Sequence, residues 1–291
     1  MKIGSNAHKE LFCQSFMESH KAFEPEHLPW PHLDDTALSR LREIPFWEAA
    51  LNTEQEAGAM VSGYAARIAD PLVHEAIALQ GKEEDRHARL IQFMIQHYDI
   101  KISGRPPDPV PNNIEQAFID FGYGECLDSF LAFGLFKIAR QANFLPEQMF
   151  TIFAHILQEE ARHIVFFVNW VAYLQASQGR GAKLFRSGHS LWHYGKAVQH
   201  LFGIVSSSSN SSGEGFTATG ASTFIDDLSL EMFLSNSLQE NQRRMSSFDS
   251  RLLRPQLLPG LATVALSTLK WLPKRNPSHQ EKNSFSSAEH S

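Results

Sequence analysis

The residues of this chain best suited to chemistry form two copies of one short pattern, Glu-Glu-x-Arg-His. The first copy occupies residues 83–87 and the second occupies residues 159–163. In each copy the second Glu precedes the His by three residues, so on a helix the carboxylate and the imidazole project from the same face. Carboxylates and imidazoles that converge in this way are ligands for divalent metal ions. The repeated pattern therefore predicts a metal centre with two halves.

Helix geometry separates the two Glu residues of each copy. The second Glu and the His form the inward pair, which gives four predicted ligands: Glu84, His87, Glu160 and His163. Within this set we expect Glu84 and Glu160 to bridge the two ions and the histidines to be terminal ligands. The first Glu of each copy, Glu83 or Glu159, is rotated away by about 100° and is predicted to lie outside the ligands as a neighbour that supports them.

Two divalent ions that lie close together repel each other, so their ligands have to bring further negative charge. Each half therefore needs one more carboxylate from another helix. We predict Glu54 for the first half because it shares a helical face with an apolar stripe, whereas the alternative, Glu56, lies on a more polar face. We predict Glu125 for the second half, with Asp128, one turn further on, as the alternative ligand or as a partner of one. No catalytic residue is predicted beyond these metal ligands.

Prolines and capping residues predict the helices that carry these side chains. A first long helix is expected over about 45–69, because a proline disfavours helix in the residue before it. A second helix is expected over 71–98, a third over about 114–143 and a fourth over 146–177. The Pro-rich segment 103–112 separates the two pairs of helices, and at about 3.3 Å per residue it is long enough to cross a helix bundle of about 30 Å. This order predicts two antiparallel helix hairpins joined by a long crossover.

The segments on either side are predicted to surround this central part. Residues 1–44 are predicted to be an N-terminal arm that is mostly irregular, with a short helix near its end. Residues 178–274 are predicted to be a C-terminal helical extension, and residues 275–291 a disordered tail. The extension is expected to hold helices over 183–204 and 224–248 on either side of a flexible loop at about 205–221.

Composition limits the class of protein. The chain has 291 residues, of which 43% are hydrophobic, so it can bury a sizeable core. Its net charge is −6 and it has no block of Lys or Arg, which argues against nucleic acid as a partner. The two cysteines, Cys13 and Cys126, form no Cys-x-x-Cys pair and argue against a disulfide framework. No run of apolar residues is long enough for a transmembrane segment, and we expect a cytoplasmic protein.

The ordered set Glu, Glu-x-x-His, Glu, Glu-x-x-His over about residues 45–177 resembles the ferritin-like di-iron carboxylate superfamily. The resemblance implies an all-α fold, in which a ferritin-like four-helix bundle is followed here by additional C-terminal helices. It also implies a cofactor of two iron ions, or of manganese or a mixed pair, that reacts with O2 or peroxide. Rubrerythrins are similar in ligand spacing, but this chain lacks their Cys-rich rubredoxin module, so electrons are expected from an external donor.

Three classes of function are consistent with the resemblance. The first, which we favour, is an O2-activating oxygenase or oxidase that acts on a small, mainly apolar substrate, with the C-terminal extension as a source of a substrate pocket. The second is metal or peroxide handling of the ferroxidase, peroxidase or di-manganese catalase type. The third is a non-enzymatic ferritin-like interaction module. A homodimer is allowed by analogy alone.

Phenylalanine is abundant on the third and fourth predicted helices. The residues concerned are Phe118, Phe121, Phe130, Phe133, Phe136, Phe166 and Phe167. Aromatic residues at helical spacing more often form a hydrophobic core than a substrate tunnel. We therefore predict that this set belongs to the core.

Overall fold

The computed structural model describes residues 1–179, 192–195 and 228–271, and these form helices joined by loops. The long elements are α1 (Asn6–Glu18), α2 (Asp35–Glu43), α3 (Trp47–Ala65), α4 (Pro71–His97), α5 (Ile114–Gln141), α6 (Glu147–Ser177), α7 (Leu230–Met245) and α8 (Leu257–Trp271). No strand occurs within this part of the chain, which confirms the predicted all-α class.

The four central helices begin and end close to the predicted positions, and their first residues show why. Asp70 caps α4 by accepting hydrogen bonds from the backbone N–H groups of Leu72 and Val73, at 3.1 and 3.2 Å. Pro71 follows as the first helical residue, where its missing N–H costs nothing. Asn113 caps α5 in the same way. Helix α3 is shorter than predicted, because residues 66–70 form the turn into α4.

Helix α1 lies in the segment that was predicted to be mostly irregular. The Ser5 hydroxyl caps it by accepting a hydrogen bond from the N–H of His8 at 3.2 Å. One face of the helix buries Phe12, Cys13 and Phe16, and the two Phe rings lie 5.5 and 5.0 Å from the ring of Phe166 in α6. A Ser cap followed by aromatic residues one turn apart was a signal for this helix that the later prolines of the arm obscured.

Helices α3 and α4 pack closely and run antiparallel. Ser62 lies against Gly81, and earlier in α3 Gly58 lies against Asp85, so the residue numbers run in opposite directions. A Cβ atom at Gly81 would lie only 3.0 Å from the backbone nitrogen of Ser62. The two glycines therefore allow the backbones to approach more closely than larger residues would permit. This approach brings the middle of α3 next to the first Glu-Glu-x-Arg-His copy.

Helices α5 and α6 also run antiparallel. Gly122, near the start of α5, lies against Phe167 near the end of α6. Phe136 and Phe150 meet at the opposite ends of the two helices, with ring centroids 5.4 Å apart. Tyr64 of α3 stacks on Phe118 of α5 at 4.3 Å, which joins the two helix pairs.

The segment between α4 and α5 runs along α3. The backbone N–H groups of Ser103 and Arg105 donate to the carboxylate of Glu48, near the start of α3. The N–H of Asp108 donates to Glu56, two turns further along the same helix, at 2.6 Å. The segment has no regular secondary structure and follows α3 towards its C-terminal end. It is the extended crossover that the prolines predict.

The described C-terminal helices pack on the outside of this group. Helix α7 lies on α5, where Ser237 contacts Gly134 and the guanidinium of Arg244 lies 4.9 Å from the ring centroid of Phe133. The side chain of Asn169 in α6 donates to the backbone oxygen of Leu253 and accepts from its N–H, at 2.9 and 3.0 Å.

Helix α7 falls within the predicted helix 224–248. The predicted loop at 205–221, the tail 275–291 and all but residues 192–195 of the predicted helix 183–204 lie outside the described residues. Residues 192–195 are helical. Among the helices that the structure describes, none is long and apolar enough to cross a membrane.

Candidate metal centre

Helices α4 and α6 place the two Glu-Glu-x-Arg-His copies face to face. His87 and His163 are 0% and 1% exposed, and their ring centroids are 5.7 Å apart. The carboxylates of Glu84 and Glu160 lie between them and are also buried. Four titratable side chains are thus removed from water at one point of the core. Burial of charged groups is costly unless they are paired or bind a metal.

Glu84 and Glu160 each reach both histidines. One oxygen of Glu84 lies 3.4 Å from Nδ1 of His87 and the other lies 3.1 Å from Nδ1 of His163. One oxygen of Glu160 lies 3.0 Å from Nδ1 of His87 and the other lies 3.5 Å from Nδ1 of His163. Each carboxylate therefore turns one oxygen to each imidazole, which is the arrangement that a carboxylate bridging two ions requires.

Helices α3 and α5 bring the two remaining predicted ligands to this cluster. Glu54 places a carboxylate oxygen 3.4 Å from Nδ1 of His87, and its potential ligand atom lies within 4.8 Å of those of Glu84, His87 and Glu160. Glu125 interacts directly with the side chain of Glu160. The structure thus brings all six residues of the predicted ligand set together.

The two alternatives that the sequence left open differ in their distance from the cluster. Glu56 accepts a hydrogen bond from the crossover and takes no part in the cluster. Asp128 lines a pocket beside the cluster, where Glu125 and Glu160 also contribute to the wall. Helix geometry explains both results, because Glu56 lies about 200° around α3 from Glu54, whereas Asp128 lies one turn beyond Glu125.

The donor set fits metal ions. Nδ1 of His87, Nδ1 of His163 and one oxygen of Glu160 are buried and have no hydrogen-bond partner in the described part of the chain. Where Nε2 of an imidazole carries the proton, Nδ1 has only a lone pair, and the ionised carboxylates it faces also have only lone pairs. Acceptors that face each other at 3.0–3.5 Å need a proton or a metal cation between them. A pair of divalent ions satisfies this requirement for both histidines at once.

The first Glu of each copy holds the histidine of the other copy. His87 donates from Nε2 to Glu159 at 2.9 Å, and His163 donates from Nε2 to Glu83 at 2.8 Å. We call Glu83 and Glu159 the outer carboxylates. The sequence predicts that they support the ligands, and in the structure each accepts a hydrogen bond from the histidine on the opposite helix. These hydrogen bonds place the lone pair of each imidazole on the Nδ1 atom that faces the cluster.

Each outer carboxylate is also paired with the arginine of the other copy. Arg86 donates to Glu159 at 2.5 Å, and Arg162 donates to Glu83 at 2.8 Å. The guanidinium of Arg162 lies 4.6 Å from the ring centroid of Phe16 in α1. Burial alone would raise the pKa of Glu83, but its hydrogen bond to His163 and the charges of His163 and Arg162 hold that pKa well below its usual range. The outer carboxylate therefore stays ionised.

Sequence reasoning missed three residues that act around the cluster. It assigned no role to Arg86 and Arg162, although both lie inside the repeated pattern and their repetition was a readable signal. It also missed His20, whose Nδ1 lies 2.5 Å from an oxygen of Glu83 and which no local pattern marks. His20 and the two outer carboxylates form a second group with ligand-type atoms, but the two guanidinium groups already neutralise it and would repel a cation.

Burial has opposite effects on the carboxylates of the cluster. It raises the pKa of Glu54 to about 7. Burial, followed by the charges of Glu160 and Glu84, raises the pKa of Glu125 well above its usual range. Burial also acts on Glu84 and Glu160, but there the positive charge of His163 and the further interactions with both histidines together lower the pKa of both groups. The cluster thus combines carboxyls that hold protons with carboxylates that stay ionised.

The two histidines respond to these carboxylates. Burial would lower the pKa of His87, but its hydrogen bond to Glu159 and the nearby carboxylates of Glu160, Glu54 and Glu84 raise it well above its usual range. The pKa of His163 is raised against the effect of burial as well, first by the charges of Glu84 and Glu160. The cluster therefore binds protons strongly, and a metal ion competes with those protons for the same lone pairs.

An apolar pocket of about 230 Å³ lies beside the cluster between α3, α5 and α6. Its aromatic wall consists of Phe46, Trp47, Phe136, Phe144, Phe150 and Phe153. Its polar end includes Glu54, Glu125 and Glu160 of the cluster. No residue of 228–271 lines it, so the described part of the C-terminal extension does not form this pocket, contrary to the role considered for the extension above.

The predicted core role of the phenylalanines is confirmed for most of the set. Five of them are buried in the hydrophobic core: Phe118, Phe130, Phe133, Phe166 and Phe167. Phe121 is partly buried against the same core. Phe136 differs from the others because it lines the pocket.

No protein-family model, no curated protein and no solved structure matches this chain. The ferritin-like resemblance therefore stays a prediction drawn from the types and spacing of the ligands. Inferences about function start from the chemistry of the cluster and of the pocket next to it.

Proposed function

We propose that this chain is a ferritin-like, non-haem di-iron protein, and that it is an O2-activating oxygenase or oxidase acting on a small, mainly apolar substrate. One observation carries the proposal. Nδ1 atoms of two buried histidines lack hydrogen-bond partners and face Glu84 and Glu160, each of which turns one oxygen to each imidazole. This geometry supports a pair of ions rather than a single one.

The ligands divide between two ions. Glu54 and His87 would hold one ion, Glu125 and His163 would hold the other, and Glu84 and Glu160 would lie between the ions. Four carboxylates offset the four positive charges of two divalent ions, so the loaded centre is neutral and tolerates burial. Oxygen and nitrogen donors of this kind suit iron and manganese, which keeps manganese or a mixed pair as alternatives.

The connectivity of the central helices supports the ferritin-like part of the proposal. Helix α3 runs antiparallel to α4, and its C-terminal end meets the start of α5, so α4 and α5 point the same way. Two helices that follow each other in the chain and point the same way need a connection as long as the bundle. The segment hydrogen-bonded to Glu48 and Glu56 supplies it. Two hairpins joined by one long crossover characterise ferritin-like bundles.

The residues of the chain prepare the site for redox chemistry. A pair of iron ions, when bound, supplies electrons for the reduction of O2 and acts as a Lewis acid. Glu83 and Glu159 accept hydrogen bonds from Nε2 of the histidines and so fix the orientation of both imidazoles. The aromatic wall of the pocket excludes water from the reacting carbon of a substrate.

The pocket favours an oxygenase or oxidase over metal and peroxide handling. An apolar cavity of about 150 Å³ accommodates benzene, so about 230 Å³ has room for roughly nine non-hydrogen atoms. Iron ions and peroxide are polar and gain nothing from an aromatic wall. A small organic molecule with a large apolar part gains the free energy of its transfer from water.

Metal analysis combined with oxygen consumption tests the proposal. The wild-type protein supplied with iron should hold about two ions per chain. It should also consume O2 in the presence of a reductant, and faster when an apolar substrate is added. His163→Ala should lose paired metal and O2 consumption, whereas His97→Ala, at the exposed end of α4, should retain both. A wild-type protein with less than about 0.3 ions per chain after supplementation would contradict the proposal.

A further inference from the structure

We propose that the pocket beside the metal centre selects a small amphiphilic amine, whose ammonium group binds Asp128 and whose apolar part lies against the aromatic wall. The inference rests on the proposed function, because it names the substrate class of the same site. Its basis is a pair of polar side chains that line the pocket and that have no partner among the described residues.

Asp128 and Ser129 are these two side chains. Both line the pocket one turn beyond Glu125 on α5. Asp128 is half-buried in this mainly apolar wall, and no hydrogen bond or ion pair joins it to another described residue. Ser129 is 3% exposed, and its hydroxyl group has no hydrogen-bond partner among these residues. Buried polar groups in folded proteins are almost always paired, so the hydroxyl group of Ser129 indicates a partner from outside the described residues, and the carboxyl group of Asp128 beside it is open to the same partner.

The charge of the pocket wall selects the kind of partner. Among the described residues, no Lys, Arg or His lines the pocket, so this part of the wall offers a carboxylate substrate no positive side chain. Four carboxyl groups line it, and three of these, on Glu54, Glu125 and Glu160, belong to the metal cluster. The charge of Asp128 is the one that the ions do not offset. A cationic group on the ligand would neutralise it.

The protonation of Asp128 is compatible with this pairing. Burial, followed by the charge of Glu160, raises the pKa of Asp128 to about 6. The group is therefore ionised at pH 8, where a primary alkyl amine, like a lysine side chain with a pKa of about 10.4, is protonated. An ion pair with hydrogen bonds is stronger in apolar surroundings than in water.

Binding measurements with three ligands of one chain length test the inference. Octylamine, 1-octanol and octanoate each have roughly nine or ten non-hydrogen atoms, which matches the room estimated for the pocket. Each is titrated at pH 8 into protein loaded with manganese, by calorimetry. The wild-type protein should bind octylamine at least about tenfold more tightly than 1-octanol, with octanoate the weakest ligand. Asp128→Asn, which keeps the shape and removes the charge, should abolish the preference for the amine and leave the affinity for 1-octanol within about twofold.

Two further variants locate the effect. Glu115→Gln removes an exposed carboxylate from the first turn of α5 and should leave all three affinities unchanged. Ala132→Phe fills part of the pocket and should weaken all three ligands together. The inference is overturned if the wild-type protein does not prefer the amine, or if Asp128→Asn retains the preference.

Metal content measured on the same samples separates this inference from the proposed function. If the wild-type protein does not hold two ions, the proposed function fails, while the preference for the amine still decides the role of Asp128. If Asp128→Asn loses metal, Asp128 is a ligand of the ions and the inference is wrong.

Discussion

The outer carboxylate on each of α4 and α6 accepts a hydrogen bond from the histidine on the other helix, which we call the exchange. Glu159→Gln tests this arrangement. Glutamine has nearly the shape of glutamate and can still accept a hydrogen bond from Nε2 of His87, which now lies 2.9 Å from the carboxylate. What it removes is the negative charge. Arg86 loses its 2.5 Å ion pair but keeps the ring of Phe23, 4.2 Å away, and the carboxylate of Glu83 at 3.9 Å. The fold should therefore survive the substitution.

The expected loss follows from the hydrogen bond to His87. A hydrogen bond to a charged acceptor contributes roughly 1.5–3 kcal/mol, and one between neutral groups contributes roughly 0.5–1.5 kcal/mol. The difference of about 1–2 kcal/mol corresponds to a metal affinity that is about five- to thirtyfold weaker. Substitutions of groups that hold a metal-bound histidine typically weaken metal binding by about 10- to 100-fold, so a loss near tenfold is expected. It should affect the ion held by His87, although Glu159 belongs to the copy that contains His163.

Competition with a fluorescent chelator for manganese measures the two dissociation constants. In the wild-type protein both ions should bind, and in Glu159→Gln one of them should bind about tenfold more weakly. Double-mutant cycles then identify the affected ion. Added to His87→Ala, the substitution should have no further effect on metal affinity, because the hydrogen bond is already absent. Added to His163→Ala, it should have its full effect. Glu75→Gln, on the exposed face of α4, is the matched control.

The opposite pattern would refute the exchange. Suppose that Glu159→Gln weakens metal affinity further when it is added to His87→Ala, but has no effect when it is added to His163→Ala. Each outer carboxylate would then act within its own copy of the pattern. An equal effect on metal affinity in the His87→Ala and His163→Ala backgrounds would show that the outer carboxylates act through their total charge and not through individual hydrogen bonds.

Two further predictions concern the stability of the helices. Gly122→Ala should lower the free energy of unfolding by about 1–3 kcal/mol, because the new Cβ atom would lie 2.2 Å from ring atoms of the buried Phe167. Gly124→Ala, with no atom of the described residues within 4 Å, should raise it by about 0.5–1 kcal/mol. Equal effects of the two changes in urea unfolding would contradict the packing. Asp70→Asn keeps the cap of α4 but loses the ion pair with Lys9, which is partly exposed and worth about 0.5–1 kcal/mol. Because the hydrogen bond from Lys9 lowers the pKa of Asp70 in the folded state, the difference between wild type and variant should be present at pH 7 and be lost as the pH falls through that lowered pKa. A difference that persists in acid would contradict the assignment.

The residues of the buried Glu/His cluster are predictable because their signals are mostly local. A Glu three residues before a His converges with it on any helix, so Glu84 with His87 needs no knowledge of the rest of the fold. Asp70 and Pro71 mark the start of the helix that carries this pair, because capping and the fixed φ of proline act within one turn. Glu54 is predictable in the same way, since its neighbours at helical spacing are apolar and those of Glu56 are not.

The partners of the outer carboxylates could not be predicted from local signals. Whether Glu159 accepts a hydrogen bond from His163 or from His87 depends on how closely α4 and α6 approach, and that distance is set by packing along the whole length of both helices. The pocket has the same origin. Its wall combines the ends of several helices, including Phe46 before α3 and Phe144 after α5, which are far apart in the sequence.

Charge explains why the repeated pattern needs an arginine as well as two glutamates and a histidine. Each copy contributes two negative charges and one positive charge, so two copies leave a net charge of −2 with neutral histidines. Glu54 and Glu125 bring the total to −4, which two divalent ions neutralise. Without Arg86 and Arg162 the outer carboxylates would add two uncompensated charges to a buried site, and the cost of burying them would exceed what their hydrogen bonds to the histidines return.

Asp128 is not part of this balance of charges. Its charge is compensated neither by an arginine of the described chain nor, in the proposed ligand set, by an ion, yet it lies in the same apolar wall as Glu125 and Glu160. Among the described residues that line the pocket, Asp128 is the one carboxylate outside the proposed ligand set, so the proposal assigns its counter-charge to a bound molecule. A centre loaded as proposed is neutral and attracts neither cations nor anions strongly by itself, so we expect Asp128 to decide which of the two the pocket accepts.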